Sequence, residues 1–126
     1  MPHVVFSGNI SFKEVFQKLE KIFFKDSDNN LIIRVEEYFM NKYENIILAK
    51  TISVDRKTQS FYIMLMKKED KITIRLDPIT DPDKTEGVKT AIALISKTIK
   101  EYGKSSNLNI TKTNVQEFIN KVQSTK

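Results

Sequence analysis

Apolar residues fall at nearly every second position from Leu31 to Leu76, broken by short polar turns, and recur every three or four residues on either side of that stretch. A period of two marks half-buried strands and a period near 3.6 marks amphipathic helices, so the pattern predicts a strand-rich centre flanked by helices. His3 to Ser7 reads as a short β-branched strand ended by Gly8-Asn9. Ser11 then offers an N-cap with Glu14 three residues on, and Ile10 and Val15 occupy the two positions of a hydrophobic staple. Phe12, Val15, Phe16, Leu19, Ile22 and Phe23 keep helical spacing, which predicts a first helix running to Phe23. The cluster Asp26 to Asn30 reads as a loop; it lacks the glycine and closing glutamate of a calcium loop.

Four strands follow: Leu31 to Met40, Ile46 to Val54, Phe61 to Met66 and Lys71 to Leu76. Their connections are too short for anything but antiparallel neighbours, so they form a meander. A first hairpin closed between Asn41 and Ile46 sets Phe39 opposite Leu48, Glu37 opposite Lys50, Val35 opposite Ile52 and Ile33 opposite Val54. Carried forward, the rule sets Ile52 against Ile63 and Lys50 against Leu65, and a turn at Lys68-Glu69 sets Leu65 against Ile72. Leu48 and Ile63 are therefore expected in one layer. A slip of one residue would turn a whole strand over.

This phase leaves Glu37 and Lys50 as a charged pair on the apolar face. The pair could floor a polar site with Glu37 as an acid or base, but inward charges near a sheet margin also discourage edge-to-edge association, and that second reading is favoured because burial costs desolvation. The opposite face then carries Ile32, Arg34, Glu36, Tyr38 and Met40, then Ile47, Ala49, Thr51 and Ser53, then Tyr62, Met64 and Met66, then Thr73 and Arg75. It is too apolar to face water uncovered and is expected to lie under the C-terminal tail or to form an interface through Tyr38, Met40, Ile47, Tyr62, Met64 and Met66. A small-ligand pocket between the first helix and the sheet would be lined by Phe12, Phe16, Phe23, Phe39 and Phe61.

Pro78 ends the fourth meander strand, and Asp81-Pro82 reads as an N-cap with proline at the first helical position. Val88, Ala91, Ile92, Ile95, Ile99 and Tyr102 hold helical period up to Gly103. After a polar link, Thr113 with Gln116 begins a short helix striped by Val115, Phe118, Ile119 and Val122. The expected fold is α+β: an antiparallel five-stranded sheet in the order β-α-β-β-β-β-α, then a short C-terminal helix, with helices packed on one face and strands arranged 1-5-4-3-2. Residues 1–104 form the domain, and 105–126 a linker and helix that dock on it or bind a partner. The element order is similar to that of each half of the TATA-binding protein and, with more strands, of helix-grip ligand-binding domains; the likeness is one of layout.

Composition changes this picture in few places. A net charge of +5 suits a polyanion partner, yet of 21 basic residues only Arg34, Arg56 and Arg75 are arginine, which favours a solvated lysine surface over a bidentate phosphate reader. Without cysteine there is no disulfide, thiolate site or thiol nucleophile, and the single His3 supports neither a zinc site nor a hydroxyl nucleophile. None of the three glycines belongs to a phosphate-cradling loop. Asp77, Asp81, Asp83 and Glu86 could attract a hard cation, but they are also what a helix N-terminus wants, and capping is favoured. No apolar run approaches a membrane span and no secretion signal opens the chain, so a cytoplasmic protein without membrane contact is expected. Familiar catalysis is disfavoured. The expectation is a non-enzymatic interaction module that self-associates or binds a protein, with no cofactor or metal; the alternatives are a basic nucleic-acid-binding domain and the phenylalanine-lined pocket.

Overall fold

A computed structural model describes residues 1–123. The elements are β1 (His3–Ser7), α1 (Phe12–Lys18), β2 (Ile22–Asp26), β3 (Leu31–Met40), β4 (Ile46–Val54), β5 (Thr58–Lys68), β6 (Lys71–Leu76), α2 (Glu86–Tyr102), β7 (Asn109–Thr113) and α3 (Gln116–Gln123). In place of the expected five-stranded sheet with helices on one face, the described residues form a seven-stranded antiparallel sheet curled into a half-barrel, with three α-helices. Strand order is β2-β3-β4-β5-β6-β1-β7.

The two additional strands come from segments whose pattern fits more than one element. Residues expected to finish the first helix form β2 instead. Helix α1 starts as expected, with Ser11 Oγ accepting from the Glu14 N–H at 3.3 Å, but stops at an extended Leu19. Its last carbonyls then need donors from elsewhere. Tyr102 Oη donates to the Lys18 carbonyl at 2.6 Å and Tyr38 Oη to the Glu20 carbonyl at 2.8 Å. In β2, Ile22 and Phe24 turn toward the core while Phe23 and Lys25 turn outward, a period of two that overlaps the helical stripe. Strand β7 forms beside β1 from residues expected at the end of the polar link and the start of the last helix.

The meander register is the second correction. Phe39 pairs with Leu48 and Glu37 with Lys50 as expected, but Glu36 is an extra residue in a bulge, so Val35 meets Thr51 and Ile33 meets Ser53. A bulge of this kind swaps the faces of everything beyond it. The next hairpin turns at Asp55 to Lys57, because β5 begins at the polar Thr58 rather than at Phe61. Ile63 therefore pairs with Ala49, and Leu48 with Met64. Leu48 and Ile63 lie on opposite sides of the sheet, and the expected phase is overturned.

The inner, concave face carries Leu31, Ile33 and Val35, then Tyr38 and Met40; Ile47, Ala49, Thr51 and Ser53; Phe61, Ile63 and Leu65; and Ile72, Ile74 and Leu76. Helix α2 lies across it, touching β1, β3, β4 and β6, and buries Val88, Ala91, Ile92, Ile95 and Ile99. Small residues on β4 make room for that approach. A Cβ at Gly87 would run into Ser53 Oγ and lie 2.8 Å from Asp55 Oδ2. The N-cap of α2 is Thr85, not Asp81, and Gly103 closes the helix as expected. Helix α3 docks on α2 through Ile119 and Val122, so residues 105–123 are built into the domain on the inner side and at the sheet end.

Candidate functional site

Register assigns each side chain of the sheet to a face, and the outer, convex face carries a pattern that the inner one does not. Phe23 and Lys25 of β2 stand opposite Arg34 and Ile32. Glu37 and Phe39 of β3 stand opposite Lys50 and Leu48 of β4, which in turn meet Tyr62 and Met64 of β5. Met66 and Lys68 meet Thr73 and Lys71 of β6, Arg75 lies opposite His3, and Lys112 of β7 opposite Val5. Lys25, Arg34, Lys50, Lys68, Lys71, Arg75 and Lys112 thus share this surface with one acidic residue, Glu37, and its neighbour Glu36 in the bulge. Aromatic rings stand among the cations. Phe23 is 67% exposed and Phe39 43% exposed, and the Phe39 and Tyr62 rings lie 6.4 Å apart at an interplanar angle of 58°.

Glu37 and Lys50 are therefore an exposed cross-strand pair on the outer face, not a charged pair inside the apolar one, which removes the motive for assigning Glu37 acid or base work. The six expected interface residues divide. Tyr62, Met64 and Met66 are on the outer face, while Tyr38, Met40 and Ile47 face the core beyond the bulge. Burial, with the Tyr102 phenol nearby, pushes the Tyr38 phenol up to about 12. The five phenylalanines do not line one pocket: Phe12 and Phe61 are buried in the core, Phe16 packs at its margin, and Phe23 and Phe39 point outward.

The acidic cluster is dispersed. Lys57 pairs with Asp83, whose carboxyl is held below its ordinary range first by that hydrogen bond and then by the lysine charge. Lys84 pairs with Asp81, and the Asp77 carboxylate accepts from the Ile79 N–H at 3.3 Å. Among the described residues no group of histidine, cysteine and carboxylate side chains could hold a metal ion, and no helix is long and apolar enough to cross a membrane. Free amides at the start of α2 find acceptors within the fold. Asp55 Oδ2 accepts from the Gly87 N–H at 3.1 Å, and Thr85 Oγ1 accepts from the Val88 N–H at 3.4 Å. Partial burial raises the Asp55 pKa, but hydrogen bonds from Thr85, Lys57, Gly87 and Arg56 outweigh it and hold the carboxyl below its ordinary range. Asn29, Asn30, Asp55, Arg56, Lys57, Thr85 and Glu86 line an open cleft of about 670 Å³ beside this cap. It is a wide polar surface hollow whose anion position is already filled by Asp55.

Beside the paired β2 and β3, Lys21, Ile22, Phe23, Arg34, Val35 and the bulge residue Glu36 border a smaller hollow of about 210 Å³. Sequence reasoning placed Arg34 and Arg75 on the outer face but missed Phe23 and Lys112. The Ile22 to Asp26 alternation was the available signal for Phe23; nothing in the pattern alone brings β7, with Lys112, alongside β1.

No family model matches the chain, and no solved structure matches it. A curated protein, a tRNA (guanine-N(7)-)-methyltransferase from Thermotoga maritima, is similar to it, 29% identical over 105 residues that cover 82% of this chain and 32% of that protein. The chain thus spans about a third of the length of that relative.

Proposed function

We propose that this domain binds nucleic acid through the outer face of its sheet. The observation that carries the reading is the pairing of exposed Phe23 and Phe39 with a surface on which cations far outnumber carboxylates. Lysine and arginine neutralise phosphates and release counterions, and aromatic rings on an open sheet offer stacking area to bases. The curated relative supports the same reading, because its name describes an enzyme acting on tRNA. The described sheet is antiparallel throughout, without the βαβ units of a dinucleotide-type cofactor fold, which supports a binding rather than a catalytic reading. A non-enzymatic binding module that presents RNA, in the manner of an accessory domain, is the function that fits.

Fluorescence anisotropy with labelled tRNA at two salt concentrations tests this. Neutralising about four phosphates predicts a loss of roughly a hundredfold in affinity between 50 and 200 mM salt. Absence of binding at low ionic strength would end the proposal.

A second reading has its own observation. Two exposed phenylalanines on one sheet face also suit a two-fold contact with another copy of the chain. Sedimentation at increasing concentration distinguishes the two. A dimer that dissociates on Phe39→Lys, with tRNA unbound, would favour self-association.

A further inference from the structure

We infer that the ligand of the outer face is a single strand lying along β3, with one base stacked on Phe23 and another on the Phe39 and Tyr62 rings. This deepens the nucleic-acid reading and rests on it. The argument begins with where the rings stand. Phe23 is opposite Arg34, and Phe39 lies five residues further along β3 with one residue absorbed by the bulge. At ~3.3 Å per strand residue the two stacking positions are about 15 Å apart. A stacked strand rises about 3.4 Å per nucleotide, so that gap spans about four nucleotides.

The positions differ in shape. At the first, Phe23 and Arg34 border the hollow of about 210 Å³, which can take a base against the ring while the guanidinium stacks or meets a phosphate. At the second, the 58° tilt between Phe39 and Tyr62 prevents the two rings from clamping a base between parallel faces. Each ring therefore presents its own exposed side. Lys50 projects opposite Glu37 beside Tyr62, within the track between the two positions. A duplex cannot use these rings, because its bases are already stacked and its edge presents phosphates. The outward phenylalanines would then be idle, whereas a single strand engages both rings and cations.

The test measures anisotropy of a fluorescein-labelled single-stranded RNA 12-mer of mixed sequence, and of the same 12-mer annealed to its complement, with the full chain. Single strand is expected to bind at least about tenfold more tightly than duplex. Affinity should rise with oligonucleotide length up to about four to six nucleotides and then level off. Phe23→Leu and Phe39→Leu should each weaken single-strand binding about tenfold or more without changing the salt dependence, while Phe39→Tyr, which keeps a ring, restores it. Arg34→Gln and Lys50→Gln should instead reduce the salt dependence. Both phenylalanines are exposed, so thermal melts of the leucine variants should match the unaltered chain, and a variant that fails to fold is replaced by Tyr62→Leu for the same comparison. Equal affinity for both forms, or leucine variants that bind normally while charge variants weaken, would overturn this inference and leave the broader reading standing. No binding of either form at low salt would remove both.

Discussion

Replacing Gly87 with alanine should destabilise the protein, although alanine is the better helix former. The gain from helix propensity is at most about 1 kcal/mol, and less in the first turn, where Gly87 sits. Against it stands the close approach of α2 to the sheet. The added Cβ would strike Ser53 Oγ and come within 2.8 Å of Asp55 Oδ2 and 3.1 Å of Leu31 Cδ1. Overpacking of this kind costs about 1–3 kcal/mol. Moving the Asp55 carboxylate also weakens its bond to the Gly87 N–H, a loss at the low end of ~1.5–3 kcal/mol because water can replace part of it. The net expectation is a loss of about 2 kcal/mol. Urea unfolding followed by circular dichroism should show a midpoint lower by roughly 1 M with an unchanged slope. Ser53→Ala sharpens the test. Ser53 Oγ is buried without a hydrogen-bond partner, so its removal should cost little by itself and open space for the new methyl. In that background the cost of Gly87→Ala should fall by at least about 1 kcal/mol, the coupling expected of atoms in direct contact. A Gly87→Ala protein as stable as the original, or a cost unaltered by Ser53→Ala, would refute the steric account.

Asp55→Asn should lower stability at pH 7 and remove part of the acid limb. The folded carboxyl lies below the ordinary value of about 3.9, so the unfolded chain binds more protons in that window; its contribution is complete above about pH 4 and is lost as pH falls through the folded pKa, as a denaturant titration from pH 5 to 2 would register. Tyr38→Phe deletes the bond to the Glu20 carbonyl and should cost about 1 kcal/mol at neutral pH. With the folded phenol raised to about 12, the stabilising linkage of Tyr38 is full below pH 10 and declines as pH rises from 10 to 12, so the tyrosine and phenylalanine proteins should converge in alkaline melts. Glu37→Gln should change stability by no more than about 0.5 kcal/mol, because the site is exposed, yet strengthen RNA binding severalfold by removing a negative charge from the basic face; unchanged or weaker binding would count against that face.

Legibility in the sequence followed element length and local punctuation. Helix α2 declared itself through six apolar positions and a closing glycine, and the meander strands through sustained alternation. Strand β2 did not, because Ile22 and Phe23 continue the stripe of α1 while Ile22, Phe24 and Asp26 also alternate; only tertiary pairing with β3 and the donors from Tyr38 and Tyr102 decide between the two. Strand β7 is a five-residue edge, NITKT, with one strongly apolar side chain, and its existence depends on β1 being there to pair with. The bulge at Glu36 has no glycine to announce it. Of the six interface candidates, Tyr62, Met64 and Met66 consequently stand on the outer face, and Tyr38, Met40 and Ile47 on the inner one.

The error on β4 is itself informative about function. Its even positions, Ile46, Leu48, Lys50, Ile52 and Val54, hold four large apolar residues, and its odd positions hold Ile47 and the small Ala49, Thr51 and Ser53. Sorting by hydrophobicity alone sends the even set inward. The fold does the reverse, because α2 approaches so closely at Gly87 that only small side chains fit beneath its N-terminal end. Burying small residues under a helix explains the inner face, but it does not explain why the outward positions are large and apolar. Solvation alone would favour polar residues there. Outward Leu48, Ile52 and Val54, continuous with Phe39 and Tyr62 and flanked by Arg34 and Lys50, are accounted for by the proposed single strand, to which they would offer an apolar floor with a charged margin.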